Sequence, residues 1–210
     1  MVRLFEQQFP YDHSWSTTTI GLWLKYPNPY SPHVLSIDVL SRSVNVDTGV
    51  LRTERLVGVK QAIPFAICQL LGVVEEAFIR EVIYVDPVNQ ITSMASINLS
   101  LSQYMQVVEM ISYTPSLTSP TTQTLFSQRA HISSPPSGCP GYAPTTGDGE
   151  PLSNGMIKVL KRVGNKLESG SVDRFGENAE KGRMGFTGVL DEVKKMLEER
   201  KAELGEVGTS

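Results

Sequence analysis

Apolar and polar positions alternate in short runs over most of the first 132 residues, then fall three or four apart from residue 156 onward. Alternation sends successive side chains to opposite faces of a strand, whereas a spacing of three to four lines one face of a helix. Strands are therefore expected over 2–9, 33–45, 49–59, 78–85, 90–99, 105–113 and 122–132. Asp47-Thr-Gly49 suits a tight hairpin turn between the second and third strands, and Asp86-Pro87 and Pro115 end two of the others. Between the first two strands, Ser14 or Asp12 caps a short helix through Leu24. Its apolar stripe is Trp15, Ile20, Trp23 and Leu24, and Pro27 stops it. At the other end Met156, Leu160, Val163 and Leu167 begin a helical stripe that Phe186, Val189, Val193 and Leu197 continue. Charges of alternating sign occupy the opposite face from Asp191 to Glu203. Gly164, Gly170, Gly176, Gly182 and Gly185 each weaken a helix by up to about 1 kcal/mol relative to alanine, so a break or kink is expected in 168–172.

These elements sum to an α+β fold. A curved antiparallel sheet of about seven strands carries a short N-terminal helix, and a long C-terminal helix crosses its concave face. A single domain is expected over 1–200, with 201–210 as a disordered tail. Residues 133–153 are rich in Pro, Gly, Ser and Thr and too poor in apolar side chains to offset the entropy of ordering. They read as a flexible insertion. The longest apolar tract, Ile63–Val74, is interrupted by Pro64, Gln69 and Gly72 and is too short to cross a bilayer. It fits either a helix packed beneath the sheet or a lid that exposes Phe65, Ile67, Leu70 and Leu71 on opening.

Composition removes several function classes. A net charge of −3, with no Lys/Arg run, gives nothing to attract nucleic acid. Cys68 and Cys139 stand in unlike contexts, and His13, His33 and His131 are scattered, so neither a disulfide framework nor a metal site is expected. Nucleophile-elbow, phosphate-cradling and zinc motifs are absent, and no cofactor or enzymatic activity is expected. The opening Met1-Val-Arg-Leu-Phe-Glu resembles neither a secretory signal nor a transit peptide.

The most distinctive segment is Lys25-Tyr-Pro-Asn-Pro-Tyr-Ser-Pro-His33-Val, leading into a strand that ends at Ser41-Arg42. Pro27, Pro29 and Pro32 fix φ and remove donors, so a rigid turn presents Lys25 at the mouth of the sheet. The strand after it reads as buried on both faces for part of its length, because Leu35 and Leu40 interrupt its polar side.

This segment resembles the signature near the start of PRELI-domain proteins, which include fungal Ups and animal slowmo proteins. Further landmarks look similar and follow in the same order: Leu51-Arg-Thr-Glu-Arg55-Leu, Val59-Lys60-Gln-Ala-Ile-Pro64, Arg80-Glu-Val and Arg174-Phe-Gly-Glu-Asn178-Ala-Glu-Lys181-Gly-Arg-Met-Gly185-Phe. The resemblance covers 1–134 and 155–190. The chain departs from it at Pro64-Phe65, where members often carry Trp, and at Glu168-Ser-Gly-Ser171, where a second Trp is missing.

The resemblance implies a carrier of a glycerophospholipid between the outer and inner mitochondrial membranes. Such a carrier works in the intermembrane space, touches membrane surfaces transiently, and is stabilised by a small helical-hairpin partner with twin cysteine motifs. It also implies headgroup contacts from Lys25, Arg55, Asn178 and Lys181, with His33 and Arg174 as further candidates, and a lid including Lys60, Pro64, Phe65, Leu70 and Leu71. Several landmarks look more like the slowmo branch, which points to phosphatidylserine, whereas the unbroken proline-rich turn looks more like the phosphatidic-acid branch. A mitochondrial adaptor that moves no lipid, and a hydrolase using a buried carboxylate, are the readings from other classes.

Overall fold

The computed structural model describes residues 2–60, 76–100, 102, 106–133 and 154–207, with the side chains of 2, 3, 154–175, 178 and 204–207 excepted. Seven strands and two helices follow in order. They are β1 (Val2–Tyr11), α1 (Trp15–Leu24), β2 (Val34–Val44), β3 (Leu51–Lys60), β4 (Glu76–Asp86), β5 (Ile91–Asn98), β6 (Gln106–Pro115), β7 (Thr124–Ser133) and α2 (Asn154–Val207). The strands form one antiparallel sheet in the order β1-β7-β6-β5-β4-β3-β2, open at β1 and β2. The expected α+β architecture, strand number and short and long helices are thus present. The hairpin turn forms as anticipated: Gly49 takes a φ of 71°, and the Asn45 side chain accepts from the Asp47 and Thr48 amides at 2.9 and 3.0 Å.

Alternation along the strands separates the two faces of the sheet. Val57, Val59, Ala77, Ile83, Val85, Met94, Ile111, Tyr113, Phe126 and Ile132 are buried, while Leu4, Phe78, Tyr84 and Met110 lie on the other face and are exposed. Both helices pack on the buried face. At one end of it, Phe9, Tyr11, Tyr113, Phe126 and Phe186 make edge-on and stacked ring contacts with centroids 4.7–6.1 Å apart. Leu22 of α1 and Phe186, Leu190 and Val193 of α2 complete that core.

Four expectations need correction. Ile20 and Leu24 of the supposed α1 stripe are exposed, and the buried face of that helix is Trp15, Thr17, Thr18, Thr19, Gly21 and Leu22. The threonines replace an apolar stripe because their hydroxyls find partners inside: Thr18 reaches Thr124 at 3.1 Å and Thr19 reaches Thr92 at 2.8 Å. Ser14 is the cap, its Oγ accepting from the Thr17 amide at 3.3 Å. The second correction concerns β2, which lies at the sheet edge with most of its residues exposed, so its Leu35 and Leu40 are surface residues. Third, α2 runs unbroken through 168–172. Fourth, it extends to Val207, past the point where a disordered tail was expected. The insertion 133–153 and the tract Ile63–Val74 fall, but for Ser133 at the end of β7, outside the described residues.

Two glycines permit the approach of α2. A Cβ on Gly21 would stand 2.4 Å from Leu190 Cδ2, so the two helices touch through a hydrogen atom at this point. A Cβ on Gly185 would stand 2.8 Å from both Asn28 Oδ1 and Tyr30 Cβ, which seats α2 against the proline-rich turn.

Candidate functional site

Lys25 ends α1, with its backbone still helical, and the turn that follows holds it in place. Asn28 organises that turn. Its Nδ2 donates to the Lys25 carbonyl at 2.7 Å, and its Oδ1 accepts from the Tyr30 amide at 2.9 Å. The Lys60 amide donates to the His33 carbonyl at 2.7 Å, tying the end of the turn to the end of β3. Lys25 is half-buried as a residue, and its ammonium lies 5.2 Å from the Tyr26 ring centroid and 5.5 Å from that of Phe186. Burial disfavours its charge, but Tyr26 and the carboxylates Glu109 and Glu81 outweigh that cost and hold its pKa above the ordinary lysine value.

His33 links this lysine to α2. Its pKa is depressed by burial and by the positive charges of Lys25 and Lys181. Lys181 precedes Gly185 by one helical turn and so shares the face that meets residues 28–30. Lys25, His33 and Lys181, far apart in sequence, therefore share one electropositive rim.

Arg55 lies deeper. It is buried on β3 and hydrogen-bonds Glu81 of β4, its direct cross-strand neighbour. Its guanidinium also stands 5.6 Å from the Trp23 ring, which Arg42 approaches at 4.9 Å. The motif Leu51-Arg-Thr-Glu-Arg55 divides cleanly between the two faces. Thr53 and Arg55 point inward, while Arg52 and Glu54 join Arg80 outside in ion pairs of 2.6 Å each. Arg80 and Arg52 hold the Glu54 carboxyl below its usual range.

The register extends the row across the sheet from Arg55 to Glu81, Ser96 and Glu109. Ser96 Oγ donates to Glu109 at 3.1 Å, the Gln128 amide donates to the other Glu109 oxygen, and Gln7 donates to Gln128. The interior face is thus banded. An aromatic core closes one end, a polar row crosses the middle, and an apolar group of Val34, Ile37, Val57, Val59, Ala77 and Ile79 lies beyond it. Sequence reasoning missed Glu81 and Glu109. Glu81 stood in the quoted Arg80-Glu-Val landmark, and the alternation Glu81-x-Ile83-x-Val85 would have turned it inward. The same alternation, Glu109-x-Ile111-x-Tyr113, would have turned Glu109 inward, but it stands in no quoted landmark.

Of the other expected site residues, Lys60 ends β3 and is exposed. The side chains of Asn178 and Arg174 on α2, and lid residues Pro64, Phe65, Leu70 and Leu71, fall outside the described set. Among the described residues no group of His, Cys, Asp and Glu could hold a metal ion, and no helix is long and apolar enough to cross a membrane.

One open seven-stranded antiparallel sheet, with a short and a long helix on its inner face, defines a helix-grip protein whose interior carries a charged band beside an apolar one. Among solved structures, the Zhui aromatase/cyclase from Streptomyces sp. R1128 shares the fold, with a TM-score of 0.50 and 13% identity over 94% of this chain and 96% of its own. Sequence comparison is more specific. The profile of the PRELI-like family matches residues 17–141. Protein UPS2, mitochondrial, of Saccharomyces cerevisiae is 34% identical over 90% of this chain and 73% of its own length. The slowmo homolog of Dictyostelium discoideum is 31% identical over 99% and 80%, and the yeast protein UPS1, mitochondrial, is 31% identical over 93% and 97%. The chain belongs to the PRELI-like family, and its yeast relatives UPS1 and UPS2 are named as mitochondrial proteins.

Proposed function

We propose that this protein carries a glycerophospholipid, phosphatidylserine in the first instance, between the outer and inner mitochondrial membranes. It works in the intermembrane space, without changing the lipid chemically, and in complex with a small twin-cysteine helical-hairpin partner. The observation that carries this reading is the banding of the interior face: Lys25 and Arg55 beside an apolar group, with His33 and Lys181 at the rim.

Each band answers a cost of moving a lipid through water. Burying one methylene is worth about 0.8 kcal/mol, so two acyl chains require an enclosed apolar path. That path resembles the bilayer, so exchange costs little. A desolvated phosphate needs cations and hydrogen-bond donors, and charge-assisted bonds from lysine and arginine are the strong ones. In this reading Lys25, Arg55 and Lys181, with Asn178 alongside, meet the headgroup, and the tract that includes Pro64, Phe65, Leu70 and Leu71 covers it.

The test follows fluorescent phospholipids between donor and acceptor liposomes, using the full chain co-purified with its partner. Transfer of intact lipid supports the carrier, and cleaved lipid in the acceptor fraction would point to a hydrolase. Absence of both transfer and cleavage would favour an adaptor. Lys181→Glu, at an exposed position, is expected to abolish transfer while leaving the melting temperature within a few degrees; undiminished transfer in that variant would sink the headgroup assignment.

A further inference from the structure

The two carboxylates of the polar row need an explanation that a phosphate does not supply. A site built for phosphate alone gains nothing from acids beside its lysine, because like charges repel. Here Glu81 and Glu109 both lie close enough to Lys25 to raise its pKa, and Glu81 also acts on Glu109. Glu81 is matched by Arg55. Glu109 is matched less well. Its hydrogen bonds come from neutral groups, Gln128 and Ser96, and Lys25 is the cation that acts on it. Burial, with Glu81 acting in the same direction, outweighs these three and raises its pKa.

Building on the proposed phospholipid cargo, we propose that Glu109 is a specificity-determining residue that receives the ammonium group of an amine-bearing headgroup. The phosphate of such a headgroup would lie toward Lys25, and the amine would lie deeper along the row, against the Glu109 carboxylate. Phosphatidylserine brings both groups at once, a phosphate for Lys25 and an ammonium for Glu109. A lipid with a bare phosphate meets the same lysine but places no cation on Glu109, so the acid works against it. The row is thus a selectivity device: cations accept any phospholipid phosphate, and the half-buried acid favours those that bring an amine.

The experiment compares initial transfer rates of phosphatidylserine, phosphatidic acid and N-acetylated phosphatidylserine, for the wild-type complex and for Glu109→Gln. In the wild type, blocking the amine should lower the rate roughly tenfold, the worth of one charge-assisted hydrogen bond. Glu109→Gln should lower the phosphatidylserine rate by a similar factor, spare phosphatidic acid, and lose sensitivity to acetylation.

Equal losses for all three lipids in Glu109→Gln would make the residue structural and overturn the proposal. Equal wild-type rates for free and blocked amine would do so too, and that arm holds even if the variant fails to fold. A wild type that moves none of the three lipids instead refutes the carrier reading on which the proposal stands.

Discussion

The buried pair Arg55–Glu81 yields the sharpest energetic prediction. Arg55 is 4% exposed and Glu81 is 8% exposed, and they hydrogen-bond across adjacent strands in direct register. Arg55→Met retains the length that packs against Trp23 but leaves a carboxylate in the interior without its partner. Breaking a buried pair from one side costs about 3–5 kcal/mol, chiefly as the penalty of the orphaned charge. For a chain of 210 residues that lowers the melting temperature by roughly 6–20 °C. Trp23 softens the loss little, since Arg42 still stands 4.9 Å from its ring.

Adding Glu81→Gln removes the orphaned charge, so the double variant should be more stable than Arg55→Met alone by at least about 1 kcal/mol. Urea denaturation of the wild type, both singles and the double would measure this coupling. If the two losses simply add, or if Arg55→Met costs under about 1 kcal/mol, the pair is not the buried, mutually dependent unit described here. There is a functional corollary. Charge reversal at Arg55 sets a second carboxylate against Glu81, so lost transfer in Arg55→Glu would report on folding before it reported on headgroup contact. Substitution at the exposed Lys181 is the cleaner probe.

Two further outcomes are expected. The His33 imidazole should titrate below 6.5 by NMR, since burial and the charges of Lys25 and Lys181 oppose its protonation. Lys181→Gln, or loading with an anionic lipid, should move it upward. Because the unfolded state takes up the proton first, His33 withdraws stability as pH falls through 6.5 toward its folded value, and adds none of this dependence above that range. A titration at or above 6.5 that ignores Lys181→Gln would refute the shared rim. At the helix interface, Gly21→Ala forces a methyl group against the fully buried Leu190 and should cost about 1–3 kcal/mol. Gly188→Ala, which meets nothing within 4 Å, should instead stabilise α2 by about 0.4–1 kcal/mol; the opposite order in denaturation would contradict the packing of α1 on α2.

Much of the architecture was legible in the chain. Alternation alone located all seven strands, and Ser14, Asp47-Thr-Gly49 and Pro115 marked boundaries that the structure keeps to within a few residues. Local chemistry decides such features: a cap, a positive φ, a proline. The α1 stripe failed for a different reason. Hydrophobicity ranks Ile20 and Leu24 above Thr18 and Thr19, but the sheet opposite offers Thr92 and Thr124, and a paired hydroxyl can be buried where an unpaired one cannot. Likewise, Leu35 and Leu40 suggested a strand buried on two sides, because nothing local distinguishes an edge strand from a central one.

The candidate site divides along the same line. Lys25 was singled out because its own proline-rich turn is visible in sequence, and Arg55 and Lys181 because they stand in motifs with a family order. Which cations share a rim, and which is spent on an acid, depends on strand pairing between β3 and β4 and on the approach of α2 at Gly185. Charge compensation acts across contacts between residues tens of positions apart, and no local pattern records it. The chain by itself determined the elements and the cations on offer. Tertiary structure alone decided that Arg55 belongs to Glu81, that Lys25 faces two acids, and that Glu109 takes its hydrogen bonds from the neutral Ser96 and Gln128.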